Sequence, residues 1–239
     1  MTPRNPFRSS RLVFRAIEPD SDEDKKLYLA FHHDVEGYIN SMLGPAVPQG
    51  KRHAEKMMGH MTKSMLGVVI CLNEEGSEAY RTEQRMKKNS TAASSSKDDD
   101  SKGSDGDFNS KKEETFDFGD VTQLVSIGQI HLGSQFNATH RQATIGVDIL
   151  PEFQRKGYGG EAIRWTLHWA FETGGLNRVG IEAFEWNTGA RKLYENLGFK
   201  LEGIGRQMFF SHGRFQDDYQ FGMLAEEWRQ LKEQGKMDF

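Results

Sequence analysis

The run Thr144–Leu150 alternates as a strand does, and Pro151 ends it. Gln154-Arg155-Lys156-Gly157-Tyr158-Gly159-Gly160 follows, and a segment of helical periodicity comes after that. A strand, a glycine-bearing loop and a helix in that order commit the chain to a sheet with helices packed on it. The first turn of a helix leaves backbone N–H groups without intrahelical acceptors, and the helix dipole makes that end partially positive. Arg155 and Lys156 add two full charges, and glycine lets backbone come close to a ligand. Together they predict a seat for a phosphate or pyrophosphate.

The rest of the chain is read around this unit. Leu12–Ile17 predicts a first strand, ended by Glu18-Pro19. Ser21 or Asp22 can cap a helix whose apolar positions Leu27, Ala30, Phe31 and Val35 recur at helical spacing. Pro45 and Pro48 break the pattern, a second helix is expected over His53–Ser64, and Gly67–Leu72 reads as a buried strand. From Gly76 to Asp120 the chain becomes rich in Ser, Lys, Asp, Glu and Gly, a composition that cannot offset its own ordering entropy. A disordered insertion within a single domain is expected there, and long loops cost little extra to close. An acidic lure for cationic substrates or a phosphorylation site is the functional alternative for this segment.

Strands are expected again at Leu124–Leu132 and Gln142–Leu150, then a helix over Gly159–Thr173 and a strand over Arg178–Phe184. Asn187 can cap a further helix that stops at Gly198, and a hairpin of Gly205–Phe210 and Phe215–Leu224 closes the chain. The net charge of −4 gives no basic footprint, so no nucleic-acid partner is expected. Val68–Leu72, the longest aliphatic run, is far too short to span a membrane. A soluble cytoplasmic protein is expected, with the nucleus left open.

Gly157-Tyr158-Gly159-Gly160-Glu161-Ala162 also fits a dinucleotide fingerprint of the G-x-G-x-x-A kind, with Glu182 on the next strand. Two features oppose that reading. Pro151–Lys156 intervenes between strand and glycines, and four strands precede the unit. Eight histidines show no paired metal spacing, so zinc is not expected. Cys71, the single cysteine, lies in an apolar run without an activating neighbour in sequence, so a covalent thiol mechanism is not expected.

Gln154-Arg155-Lys156-Gly157-Tyr158-Gly159 resembles the Q/R-x-x-G-x-G/A signature of the GNAT superfamily of acyl-CoA-dependent N-acetyltransferases. Asn187-x-x-Ala190-x-x-Leu193-Tyr194-x-x-Leu197-Gly198-Phe199 is similar to the second half of the same family's acetyl-CoA site. Glu202-Gly203 and Phe209-Phe210-x-x-Gly213-Arg214-Phe215-Gln216-Asp217 resemble the branch holding spermidine and ribosomal-protein N-terminal acetyltransferases.

The resemblance implies an α/β (α+β) GNAT fold: a mixed, mostly antiparallel sheet, helices on both faces, and a cleft where strands four and five splay. It implies acetyl-CoA as cosubstrate and no metal. The pantetheine arm would run along Val147, Asp148, Ile149 and Leu150. The pyrophosphate would sit on Gln154, Arg155, Lys156, Gly157, Tyr158, Gly159 and Gly160, with Asn187 and Ala190 completing the site. The acceptor amine attacks the thioester directly in this family, and Tyr194 corresponds to its usual proton donor to the leaving thiolate. Asp148 ranks first as base, with Glu182, Glu185 and His131 as the other candidates. Some relatives carry an acidic residue at the position of Thr144, which puts that route in doubt here. Asp217-Asp218 is a further candidate for meeting a cationic acceptor. A small polyamine-like acceptor is expected. A protein N-terminus and a non-catalytic acyl-CoA sensor stay open, and the family leaves room for a homodimer.

Overall fold

The computed structural model describes residues 5–41, 47–48, 50–93, 124–133, 138–211 and 213–238. The chain divides into two compact units, Met1–Cys71 with Ser126–Phe239, and Leu72–Val125.

The first unit holds a seven-stranded sheet in the order β1-β2-β3-β4-β5-β7-β6. The strands are β1 (Leu12–Ala16), β2 (Leu66–Leu72), β3 (Ser126–Gly133), β4 (Gln142–Ile149), β5 (Arg178–Phe184), β6 (Lys200–Ser211) and β7 (Arg214–Leu224). β4 and β5 run parallel, joined through a helix, while β2–β3, β3–β4, β5–β7 and β6–β7 are antiparallel. The mixed, mostly antiparallel sheet expected from the sequence is therefore the one observed.

Helices α1 (Asp22–His33), α2 (Val35–Ser41) and α3 (Lys51–Met61) follow β1. Ser21 caps α1 by accepting from the Asp24 N–H at 3.5 Å, and α1 carries three acidic residues in its first turn, where the dipole favours them. The sequence expectation ran one helix through Val35, but the chain breaks at Asp34. Its carboxylate accepts from Gly37 N–H at 3.0 Å and its carbonyl from Tyr38 N–H at 2.8 Å, so Asp34 ends one helix and starts the next.

The second unit carries α4 (Glu74–Ala93). This corrects the expectation that structure stops at Gly76. Glu, Gln, Arg, Lys, Ala and Met are good helix formers even where little apolar surface is buried. Its start is tied down by the buried Ser77 hydroxyl, which donates to the Leu72 carbonyl at 3.1 Å and accepts from Val125 N–H at 3.0 Å. The remainder of the expected insertion, from residue 94, lies outside the described residues.

Helix α5 (Tyr158–His168) follows the glycine loop and continues as one π-helical turn over Trp169–Thr173. Trp165 anchors it, stacked on Phe14 of β1 with centroids 3.7 Å apart and donating to the Pro6 carbonyl at 2.9 Å. α6 (Thr188–Asn196) is capped by Asn187, whose side chain accepts from Ala190 N–H at 3.1 Å. α7 (Ala225–Glu233) was missed from the sequence; Trp228 buries its ring beside Phe171, and Glu227 closes the helix start by accepting from Leu224 N–H at 2.9 Å.

Glu161, on the first turn of α5, holds that helix to the strand edge before β1. Its buried carboxylate accepts from the Ser9 and Ser10 hydroxyls at 2.7 and 3.0 Å. It also accepts from the Arg11 N–H and guanidinium at 2.9 and 2.8 Å. Burial alone would raise this carboxyl, but the donors outweigh it and hold it below the usual glutamate range. Glu161→Ala is expected to cost about 1–3 kcal/mol, the range for stranding buried partners. In the wild type this contribution is complete above the ordinary glutamate pKa of about 4.3 and fades as pH falls through the depressed folded value. Urea melts across that range should show the gap between the two proteins closing in acid. A gap independent of pH would assign the loss to packing.

Candidate active site

β4 and β5 pair only over Gln142–Ile145 and Arg178–Ile181. Beyond that point β4 continues to Ile149 and β5 to Phe184 without pairing. The sheet therefore opens, and a cleft of about 1190 Å³ begins where the two strands part. Buried backbone groups demand partners, so an unpaired edge lining a cavity is suited to an extended ligand that behaves as an extra strand. Gln154 already satisfies the last carbonyl of this edge, donating from Nε2 to Ile149 at 2.8 Å.

The glycine loop forms part of the cleft wall. Gly157 stands before α5 with φ +86°, a conformation open to glycine at little cost, and gives the helix no side-chain cap. Arg155 also has positive φ, +62°, an uncommon conformation for a side-chain-bearing residue and one that clusters at ligand clamps. Gln154, Arg155, Gly157, Gly159, Gly160, Asn187 and Ala190 all line the cleft, as do Val147, Asp148 and Ile149. Leu150, Lys156 and Tyr158 are not in its wall. Leu150 N–H is held by the Ile127 carbonyl, Lys156 lies over the Phe153 ring, and Tyr158 lies beneath the Arg11 guanidinium. Arg11 was not singled out from the sequence. It braces the loop, donating to the Lys156 carbonyl at 3.1 Å while ion-paired to Glu161.

The cleft wall is also acidic. Residues two apart on a strand share a face, so the pairs Thr144↔Gly180, Glu182↔Gln220 and Phe184↔Asp218 put Asp148, Glu182 and Asp218 on one side of the sheet. All three line the cleft, together with Asp34. Burial first, and then the neighbouring Asp218, raise the Glu182 carboxyl; burial raises that of Asp218, against a hydrogen bond from Gln220 at 3.2 Å. The neighbouring Asp217 serves the backbone instead, accepting from Gln207 N–H at 2.8 Å in the β6 bulge. Glu185 accepts from Asp217 N–H at 3.0 Å. Asp217 and Glu185 thus do structural work, and Asp218 faces the cleft. The Trp186 indole donates to Asn40 at 3.0 Å, bridging the end of β5 to α2.

Asp148 is the electrostatic centre of this wall. It accepts from Gln129 Nε2 at 2.8 Å, and its charge acts on Tyr28, His32, His131 and Tyr194. Tyr194, on α6, lies with its ring against Phe199 and Phe221 and also lines the cleft. Burial, and secondarily Asp148, push its phenol well above the ordinary tyrosine value, so it keeps its proton at neutral pH. His131 lies flat on β4 at Gly146, where any Cβ would overlap its ring. Cys71 is fully buried, its thiol raised by burial, and sits 3.7 Å from the Ser126 hydroxyl. No His, Cys, Asp or Glu side chains among the described residues are grouped to hold a metal ion. No described helix is long and apolar enough to cross a membrane.

Comparison with known proteins fits this geometry. Residues 81–200 match the family described as Acetyltransferase (GNAT) domain. An uncharacterized N-acetyltransferase, YoaA, of Bacillus subtilis is 33% identical over 94 residues, covering 39% of this chain and 51% of the relative. The spermidine N(1)-acetyltransferase of Vibrio cholerae is 35% identical over 91 residues, covering 38% of this chain and 52% of the relative. The chain thus spans about half the length of the curated relatives it matches. The crystal structure of spermidine N-acetyltransferase from Vibrio cholerae in complex with CoA and spermine superposes with a TM-score of 0.62 at 19% identity. That superposition covers 92% of this chain and 99% of the other, a likeness of fold.

Proposed function

The chain belongs to the GNAT acetyltransferase family, and from that premise we propose that it transfers the acetyl group of acetyl-CoA directly to a primary amine, with a small polyamine as acceptor. The observation that carries this reading is a cleft whose wall combines an uncapped helix start and Arg155 with four carboxylates. An anionic cosubstrate is drawn to the helix start and a cationic acceptor to the carboxylates, and they meet where β4 and β5 part.

The residues present fit acetyl-CoA. The N–H groups at the start of α5, aided by Arg155, suit a pyrophosphate, and the open edge of Val147, Asp148 and Ile149 suits an extended pantetheine arm. Leu150, Lys156 and Tyr158 hold the loop in shape from outside the cleft wall. Acetyl-CoA supplies an activated thioester when bound. Everything else falls to side chains. An aliphatic ammonium with a pKa near 10.4 must lose a proton before its nitrogen can attack, and Asp148 is the carboxylate placed to draw it in and begin that transfer. Tyr194 donates a proton to the departing thiolate. Glu182 and Asp218 hold the remaining cationic part of the acceptor.

The test is free-thiol release across a panel of polyamines, monoamines and peptide N-termini, alongside melting-temperature shifts with acetyl-CoA and NAD. Polyamines should give the highest kcat/KM. Asp218→Asn should raise their KM more than that of a monoamine, and wild-type KM should rise on acidification through the elevated Glu182 and Asp218 range as their charge is lost. Preference for a peptide N-terminus would move the acceptor to protein. Stabilisation by acetyl-CoA without thiol release would make the chain a sensor, and stabilisation by NAD alone would sink the proposal.

A further inference from the structure

Helix α2 packs on both β4 and β5, the two strands whose parting opens the cleft. Asp34, Gly37, Asn40 and Ser41 stand three and four residues apart, so they share one face, and all four line the cleft. The start of α2 is fixed by Asp34: a Cβ on Gly37 would overlap the carboxylate that accepts from the Gly37 N–H. Its last turn is fixed by Asn40, whose side-chain oxygen accepts from the Trp186 indole at 3.0 Å across 146 positions of sequence. Trp186 is itself held, stacked on Phe184 with centroids 4.5 Å apart, and Phe184 meets Phe209 of β6 edge-on at 4.9 Å. Phe184 lies two residues from Glu182 and pairs with Asp218, so this stack stands on the carboxylate face of the sheet. Helix α2 is therefore a bar across the fork, tied down at both ends.

We propose that the hydrogen bond between Asn40 and Trp186 is a clasp that sets acceptor size, admitting an unbranched amine and excluding the N-terminus of a peptide. This rests on the reading of the cleft as an amine acetylation site. A polyamine is slender: the carbon next to its terminal nitrogen bears only hydrogens, and methylenes follow. The terminal nitrogen of a peptide sits on a carbon that carries a side chain and a carbonyl, and the backbone runs on from there. Both acceptors bring a cationic nitrogen to the carboxylates, so charge does not separate them. Width does, and a bar fixed at both ends discriminates by excluding the wider competitor. On the face of α2 toward the cleft, Gly37 and Ser41 are small and leave room for a narrow chain, while Asn40 reaches over to Trp186. One neutral hydrogen bond favours the closed arrangement by about 2–10-fold. The clasp thus opens without unfolding, and a peptide is acetylated only through the fraction of molecules in which it is open.

The test compares kcat/KM for spermidine and for a short peptide with an alanine N-terminus. Trp186→Phe keeps a ring on Phe184 and removes the indole N–H, and Asn40→Leu removes the accepting oxygen from the other side. In each, the ratio of peptide to spermidine should rise about 2–10-fold, the bias that one hydrogen bond supplies. Trp186→Ala, which removes the ring as well, should raise it further. The double variant of Trp186→Phe and Asn40→Leu should go no further than either single one, because both remove the same bond. The melting-temperature shift with acetyl-CoA should stay as in the wild type throughout. Asn40 is half-buried, so Asn40→Leu serves where the Trp186 variants do not fold. An unchanged ratio, or single effects that add in the double variant, overturns the clasp while leaving the acetyltransferase reading intact. A wild-type protein that prefers the peptide overturns the clasp too, and one that acetylates no amine overturns both.

Discussion

Tyr194→Phe should bind acetyl-CoA as the wild type does and turn over roughly 10²–10⁴-fold more slowly, the range for a lost general acid. The ring keeps its contacts with Phe199 and Phe221, so the fold of α6 against the sheet is unchanged. What goes is the hydroxyl of a residue that lines the cleft. Without a donor, a thiolate of pKa about 8.5 must depart as the anion into a cleft already carrying carboxylates. The pH profile gives a second readout. Because burial and Asp148 raise the phenol, wild-type activity should persist above pH 10 before falling, and the variant should lack that descent. A folded Tyr194→Phe protein with wild-type kcat, under conditions where chemistry limits the rate, would assign the ring to packing alone.

Gly159→Val should weaken acetyl-CoA about 10–100-fold with little change in melting temperature. A Cβ at Gly159 would meet only the Ile149 side chain, at 3.9 Å, so protein packing does not require the bare backbone. The cleft does: the N–H groups at the start of α5 bind a phosphate only if its oxygens can reach them. Losing one or two charge-assisted bonds at about 1.5–3 kcal/mol each accounts for the expected range. Gly157→Ala offers the contrast. There φ is +86°, and a side chain should cost about 1–2 kcal/mol of stability through backbone strain. Equal loss of affinity and stability in Gly159→Val would mean that the loop is disrupted rather than blocked.

Much of the fold was legible because its signals are local. Alternation gave β4, the Gly157 loop gave the start of α5, and Asn187 gave the cap of α6; each is a property of a few consecutive residues. The misses have identifiable causes. Asp34 interrupts a continuous apolar periodicity, and only its capping bonds reveal the break. The segment of α4 carries few apolar residues to bury, yet its residues favour helix on propensity alone. α7 did carry a signal, Glu226 and Glu227 ahead of Trp228 and Leu231, beyond the closing hairpin.

The candidate site divides the same way. The stretch proposed to seat an anion is contiguous in sequence, apart from Arg11, which reaches Lys156 across 145 positions. The site's set of carboxylates is tertiary. Asp218 comes beside Glu182 through strand pairing, which leaves no spacing in the sequence. Parity along β7 separates Asp218 from Asp217, and that distinction required the register with β5.

The most direct measurement is the product ledger of one reaction: purified chain, acetyl-labelled acetyl-CoA and spermidine, with acetylated amine, free thiol and label on the protein all quantified over time. The expected result is one acetylated amine per thiol released, many turnovers per chain, and no label on the protein at any time. Labelled protein accumulating ahead of product would contradict direct transfer. Hydrolysis of the thioester with no acetylated amine, from spermidine or from any acceptor in the panel, would contradict amine acetylation itself.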